Sequence, residues 1–125
     1  MQQGRPMFMA LRVRDYQRVV EFYRDIIGVP LREEDHGGGD GNHAECSWSD
    51  PYFHFAIFPA ATDEQPTKVG LSLGVKDVDA VHARAVAAGI QVVESPGQKP
   101  WGLSAVYLDP DGNGVGITEY GDVPA

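Results

Sequence analysis

Two stretches of the sequence decide the fold: VRDYQRVVEFYRDIIGVPL at 13–31 and VKDVDAVHARAVAAGIQVV at 75–93. Valines, an aspartate and a glycine recur in the same order in both, about half the chain apart. Such an internal repeat indicates that a structural unit occurs twice. We therefore expect a single domain over 1–125, with one module at about 7–60 and a second at about 67–120.

Each repeat predicts a strand that leads into a helix. Apolar stretches at 8–13 and 69–75 precede Asp15 and Asp77, whose carboxylates are predicted to cap the helix N-termini. Apolar residues then recur at helical spacing until Gly28 and Gly89, where a positive φ can end each helix. The predicted apolar stripe of the second helix is Val78, Val81, Ala85, Val86 and Ala88.

Short segments of strand type follow each helix, separated by turn residues. They lie at 43–48, 52–58, 90–93, 104–108 and 115–120. The order of elements predicts an α+β fold built from two tandem βαβββ modules.

Composition excludes several classes of partner. The 125 residues include 10 Lys and Arg against 18 Asp and Glu, a formal net charge of -8. This balance argues against nucleic acid and anionic membranes and favours a cationic ligand. One cysteine cannot form an intrachain disulfide, and no stretch resembles a signal peptide or a membrane span, so we expect a cytoplasmic protein.

Several motifs resemble one known superfamily. They are the doubled βαβββ plan, FYRDIIG at 22–28, AVAAGI at 85–90, PWG at 100–102 and YLDPDGNG at 107–114. Over roughly 7–120 the chain resembles the vicinal oxygen chelate superfamily, which includes glyoxalase I, extradiol dioxygenases and bleomycin resistance proteins. The resemblance implies that the strands form a curved mixed-sheet cup with helices on its outer face, and that the chain forms a homodimer.

The resemblance also implies where a metal would be bound. Enzymes of the superfamily hold a divalent metal in the cup, and the matching positions here are Phe8, Gly70 and Gly116. These side chains offer no oxygen or nitrogen donor. We therefore expect no metal and no cofactor, as in the bleomycin resistance branch, whose members sequester a drug without a catalytic metal.

Other side chains are alternative candidates for a metal ligand or a surface role. Glu119 lies three residues beyond Gly116, and strand alternation predicts that it points away from the cup. His43 and Glu45 can share a strand face, but no third donor has a predicted position. His82 is predicted to be a surface residue of the second helix.

Two further motifs have structural interpretations. The segment 109–114 imitates the start of a calcium loop, but position twelve is Tyr120 instead of a glutamate, so a tight turn between strands is predicted. Cys46 has no neighbouring base in the sequence and is predicted to be a small buried residue.

Alternation along the strands predicts which side chains line the cup. Many of the cup positions are glycine, which indicates a roomy pocket for a flat or extended organic molecule. The expected ligand-binding residues are Phe8, Arg12, Trp48, Tyr52, His54, Ser72, Trp101, Ser104 and Thr118.

Three functional hypotheses follow. The first is a metal-independent protein that binds a small molecule and sequesters an aromatic or cationic antibiotic. The second is an enzyme of the same fold, a lyase, isomerase or dioxygenase, with an atypical metal site. The third is a metal-free enzyme that transfers protons through Arg12, His54 or Glu119.

Overall fold

A computed structural model describes residues 8–34, 42–49, 52–60 and 70–119. The first half contains β1 (Phe8–Val13), α1 (Tyr16–Glu21), a π-helical segment (Phe22–Ile27), β2 (Arg32–Glu34), β3 (His43–Trp48) and β4 (Phe53–Pro59). The second half contains β5 (Gly70–Val75), α2 (Val78–Ala87), β6 (Val92–Lys99), β7 (Gly102–Leu108) and β8 (Gly114–Glu119).

The strands form two four-stranded mixed sheets with equivalent topology. Their orders are β1-β4-β3-β2 and β5-β8-β7-β6. In each sheet the first strand is parallel to the last, and the other pairs are antiparallel. This arrangement confirms the predicted α+β class, and the described strands of one sheet make no ladder with those of the other.

The two helices begin differently although their sequences are related. The Asp77 carboxylate accepts a hydrogen bond from the Ala80 amide at 3.0 Å, as predicted. Asp15 makes no such bond, so its predicted capping role is wrong; its carboxylate lies 3.7 Å from the Arg18 guanidinium instead. With φ of -96° and ψ of 69°, the Asp15 backbone departs from the extended conformation that Asp77 adopts.

The first helix ends where the sequence predicted. Gly28 has φ of 96°, and its amide and that of Val29 both donate to the Tyr23 carbonyl, at 3.0 and 2.8 Å. A side chain at Gly28 would be strained at this φ. The last turns before it are π-helical, which the apolar spacing did not indicate.

The helices cover one face of each sheet and leave the other face open. The core between helices and sheets includes Leu11, Val19, Val20, Phe22, Tyr23, Phe55, Ile57, Val78, Val81, Ala85, Tyr107, Val115 and Ile117. Only part of the predicted stripe of α2 joins it: Val86 and Ala88 are exposed. Val86 follows Ala85 directly, so it lies about 100° around the helix, away from the sheet.

His82 is not the surface residue that the sequence predicted. Its ring is half-buried, and Nδ1 lies 2.8 Å from the hydroxyl oxygen of Tyr107 on β7. Burial raises the pKa of this tyrosine, with a smaller contribution from the Asp79 carboxylate. The Tyr107 phenol therefore reaches across the core to the helix.

The structure extends the predicted strands in two places. Strand β2 was missed because three residues at an edge give too short a pattern. Strand β6 continues to Lys99, beyond the predicted 90–93, because register shifts after Val92 and Glu94 accommodate Val93, Ser95 and Pro96, and pairing resumes at Gly97. Residues 69 and 120 of the predicted strands lie outside the described residues.

Candidate functional site

The open faces of the two sheets carry most of the predicted ligand-binding side chains. The open face of the first sheet carries Phe8, Arg12, Tyr52 and His54. A hollow on the second sheet is lined by Ser72, Trp101, Ser104 and Thr118. The structure thus brings the predicted residues together in two groups, one on each sheet.

The hollow on the second sheet has a volume of about 140 Å³. An engineered apolar cavity of about 150 Å³ holds one benzene molecule, whereas drug-sized ligands occupy about 300–1,000 Å³. The hollow therefore has room for about one aromatic ring, less than the roomy pocket that the sequence predicted. Gly116 and Ser72 are two of the small residues that line it. A Cβ added at Gly116 would lie 3.5 Å from the Ser72 hydroxyl oxygen and would occupy part of the hollow.

Polar groups in the hollow are hydrogen-bonded within the chain. The Ser104 hydroxyl lies 3.0 Å from the Thr118 hydroxyl, and it donates to the Gly102 carbonyl at 3.2 Å. Trp101 lies at the rim with 67% of its surface exposed. The hollow thus combines hydrogen-bonded hydroxyl groups with an exposed aromatic side chain.

Sequence reasoning missed an ion pair at this hollow. Glu94 and Lys99, both on β6, line it and form a salt bridge with each other. Their segment contains Ser, Pro and Gly, which predicted a turn and not a strand. The only signal in the sequence is the opposite charge of the two residues that flank this segment.

Aromatic rings form a stack on the open face of the first sheet. The Phe8 and His54 ring centroids are 5.3 Å apart with planes 15° from parallel, and Tyr52 stacks on His54 at 6.4 Å and 13°. Phe8 and Tyr52 are 56% and 47% exposed. Further along the face, the Arg12 guanidinium carbon lies 4.7 Å above the Phe58 ring centroid.

A carboxylate between two imidazoles lies beside this stack. Glu45 Oε1 is 2.8 Å from His43 Nε2, and Glu45 Oε2 is 2.9 Å from His54 Nε2. His43 is buried and stacks on Phe58, with ring centroids 4.5 Å apart. The sequence placed His43 and Glu45 on one strand face, but it did not predict that His54 would share the same carboxylate.

Trp48 is not part of either group. The pairing of Trp48 with Phe53 places it on the helix-side face of the first sheet, and its ring lies 6.5 Å from that of Phe53. It follows the buried strand positions Ala44 and Cys46 at the end of β3.

The residues at the expected metal positions do not fit a metal. Phe8, Gly70 and Gly116 carry no donor atom, and a Cβ at Gly70 would meet nothing within 4 Å. Within the parts of the chain that the structure describes, no three His, Cys, Asp or Glu side chains are arranged to hold a metal ion. The Glu45 carboxylate lies between the two imidazoles, with one oxygen bonded to each.

Glu119 points toward the helices and not into the hollow, as strand alternation predicted. Its Oε1 accepts a hydrogen bond from the Val78 amide at 3.0 Å. The residues two and four positions before it, Ile117 and Val115, are buried on the same side of β8. Glu119 therefore stabilises the start of α2.

Cys46 is buried, as predicted. Burial raises the pKa of its thiol to about 11, the Glu45 carboxylate adds to the effect, and the Arg32 guanidinium opposes it. Such a thiol is a poor nucleophile near neutral pH.

The fold defines a class of protein: a small α+β domain with two βαβββ units, each of which leaves one face of its sheet open. Residues 6–117 match the family model described as the Glyoxalase/Bleomycin resistance protein/Dioxygenase superfamily. The chain belongs to this superfamily. No curated protein sequence matches it.

Solved structures agree with this assignment. TnmS3, an antibiotic binding protein from Streptomyces sp. CB03234, is 26% identical, with 97% of this chain and 99% of that chain covered and a TM-score of 0.71. A glyoxalase/bleomycin resistance protein from the same organism is also 26% identical, covers 92% of this chain and 100% of its own, and has a TM-score of 0.68.

An enzyme has a similar fold. Lactoylglutathione lyase from Agrobacterium tumefaciens is 23% identical, with 95% of this chain and 96% of that chain covered and a TM-score of 0.63. Because proteins of one fold can carry different functions, the activity has to be argued from the site.

None of the described helices is long and apolar enough to cross a bilayer.

Proposed function

We propose that the protein binds a planar aromatic small molecule without a metal and sequesters it, with an antibiotic as the class of ligand. One ring of the ligand occupies the hollow on the second sheet beside Trp101. The open face of the first sheet, with Phe8, Arg12, Tyr52 and His54, is the second part of the binding site.

The hollow carries this proposal. It has room for about one ring, the two charged side chains that line it, Glu94 and Lys99, pair with each other, and Trp101 presents an exposed indole at its rim. At Gly116, where the superfamily's enzymes bind metal, the chain offers space and no donor atom. The similarity to an antibiotic binding protein supports the ligand class.

We further propose that the protein is a cytoplasmic homodimer. Exposed aromatic side chains on both open faces, with Phe8 on the first and Trp101 at the rim of the second, favour a partner surface that covers part of them. Sedimentation velocity measures the mass: a dimer supports this part of the proposal, and a monomer at micromolar concentration contradicts it.

The binding proposal is tested by tryptophan fluorescence. The chain has two tryptophans, so Trp48→Phe leaves Trp101 as the reporter. Doxorubicin and bleomycin are titrated into this variant. Saturable quenching supports the proposal, whereas no quenching by either compound contradicts it.

Two matched pairs of variants locate the site. Isothermal titration calorimetry compares them, since it needs no tryptophan reporter. Stacking on an indole contributes about 0.5–1.5 kcal/mol, so Trp101→Ala weakens binding by about twofold to tenfold, and Trp48→Ala leaves the affinity unchanged. Gly116→Val fills the hollow and weakens binding, whereas Val86→Ala on the exposed side of α2 does not. If the two variants of each pair change the affinity equally, the hollow is excluded as the binding site.

A further inference from the structure

The pair formed by Glu45 and His54 has a chemical consequence beyond the packing of an aromatic ligand. An ionised carboxylate only accepts hydrogen bonds, so the 2.9 Å contact with Glu45 Oε2 requires a hydrogen on His54 Nε2. In the neutral imidazole the other nitrogen, Nδ1, then carries a lone pair. Glu45 thus determines which nitrogen of His54 accepts a hydrogen bond.

The Nδ1 atom of His54 is available to a ligand. Within the described part of the chain, His54 makes a hydrogen bond through Nε2 only, and 21% of its side chain is exposed. His43 differs, because it is almost completely buried and stacks on Phe58. Of the two imidazoles on Glu45, His54 is therefore the one that can take a hydrogen bond from outside.

The stack around His54 selects for a planar ligand. A ring that donates a hydroxyl to Nδ1 and is coplanar with the imidazole lies nearly parallel to Phe8 and Tyr52, whose planes are 15° and 13° from that of His54. The faces of the ligand ring can therefore contact the rings of Phe8 and Tyr52. A phenol or enol meets both requirements, since its hydroxyl lies in the plane of its conjugated system.

The charges on this face do not exclude such a ligand, although the chain is acidic overall. Register places Arg12 on β1, Arg32 and Glu34 on β2, and His43 and Glu45 on β3 on the same face as His54. Two arginines balance two glutamates, and the Arg32 guanidinium lies 3.9 Å from the Glu34 carboxylate. The described residues of this face therefore sum to zero charge when both imidazoles are neutral, so they give no reason to expect a cation there.

We propose that the open face of the first sheet binds the acidic hydroxyl of a planar phenol or enol, with His54 Nδ1 as the acceptor and Glu45 as the positioning residue. When the hydroxyl ionises, its proton moves to Nδ1 and the electron pair of the O–H bond stays on the ligand oxygen. The Glu45 carboxylate then faces an imidazolium. The inference rests on the proposed function and names the chemical group that its first-sheet surface recognises.

The test compares p-nitrophenol with its methyl ether p-nitroanisole, which has a similar ring but no hydroxyl hydrogen. A hydrogen bond contributes about 0.5–1.5 kcal/mol, so at a pH where free p-nitrophenol keeps its hydroxyl proton the phenol binds about twofold to tenfold more tightly. Because ionised p-nitrophenol absorbs in the visible, its bound form should also show this absorption at a lower pH than the free form.

Variants separate the acceptor from the aromatic surface. His54→Phe keeps a ring in the stack but removes Nδ1, so it should abolish both the preference for p-nitrophenol over p-nitroanisole and the spectral change. Glu45→Gln should shift the pH at which bound p-nitrophenol ionises, a readout that a purely structural role would not move. His82→Gln, at the half-buried histidine of α2, is the matched control and should change neither.

The outcomes also separate this inference from the proposed function. Equal affinity for the two probes, or a preference that survives in His54→Phe, overturns the inference. Failure of both probes to bind overturns it as well; if doxorubicin or bleomycin still quenches Trp101, the proposed function stands. If neither drug quenches Trp101 either, both proposals fail together.

Discussion

The Tyr23 hydroxyl donates a hydrogen bond to Asp109 Oδ2 at 2.8 Å, between two buried residues that are 86 positions apart. Asp109 Oδ1 accepts the amides of Asp111 and Asn113 at 2.9 and 2.8 Å. The carboxylate thus closes its own turn and binds the helix of the other half of the chain. The tight turn predicted at 109–114 is confirmed. Asp109, the first acidic residue of the segment that resembles a calcium loop, accepts hydrogen bonds from protein donors.

Tyr23→Phe should destabilise the protein. It removes a hydrogen bond to a buried charged group, which contributes about 1.5–3 kcal/mol to the free energy of unfolding. Asp109 Oδ2 keeps only its 3.1 Å bond from the Asn113 side-chain amide among these donors. Urea denaturation followed by circular dichroism measures the loss. The control is Tyr16→Phe, whose hydroxyl bonds to Glu33 at an exposed site and should contribute less; equal losses would contradict this account.

The two aspartates of the sequence repeat should respond differently to substitution. Asp77→Ala removes the hydrogen bond to the Ala80 amide and should cost about 0.5–2 kcal/mol, the usual contribution of an N-cap. Asp15→Ala removes no cap bond and should cost less than about 0.5 kcal/mol. Thermal unfolding of the two variants measures the difference. A larger loss for Asp15→Ala would show that the first helix is capped in solution.

Glu119→Ala should reduce stability without changing ligand affinity. The substitution removes the acceptor for the Val78 amide, a loss of about 1 kcal/mol. The carboxylate points away from the hollow, so doxorubicin or bleomycin quenching of Trp101 should be unchanged. Urea denaturation and fluorescence titration are measured on the same preparation. A loss of binding in a fully folded variant would show that Glu119 contributes to ligand binding.

Cys46 should react slowly and make stability depend on pH in the alkaline range. Burial raises its pKa to about 11, so the folded protein retains the thiol proton that the unfolded chain releases near pH 9. The stabilisation is complete below the unfolded pKa and is lost as the pH rises from about 9 toward 11. The free energy of unfolding of the wild type should therefore fall more steeply over this range than that of Cys46→Ala.

A thiol-reactive dye provides an independent check of Cys46. At pH 8 the native protein should react at least about tenfold more slowly than the same protein in urea. Rapid reaction of the native protein would contradict the burial of this side chain.

Local patterns predicted the parts of the fold that depend on local physics. The repeat predicted both strand-to-helix units, and Gly28 adopts the positive φ expected at its helix end. Strand alternation predicted the direction of Glu119. Each of these inferences depends on residues a few positions apart, whose relative orientation is determined by helix or strand geometry.

Features that depend on tertiary contacts were not predictable. The partner of His82 is a tyrosine 25 positions away. The contact of His54 with Glu45 depends on the register of β3 and β4. Trp48 lies on the helix-side face because it pairs with Phe53 in that register. Composition alone does not indicate this pairing.

The central claim is that the protein binds its ligand without a metal, and the most direct measurement is the metal content of the untagged protein. Plasma mass spectrometry is carried out before and after incubation with Ni²⁺, Mn²⁺, Fe²⁺ and Zn²⁺ and removal of the excess. Since Phe8, Gly70 and Gly116 supply no donors, we predict less than about a tenth of an equivalent of any of these metals. Tightly held metal at close to one equivalent would contradict the account.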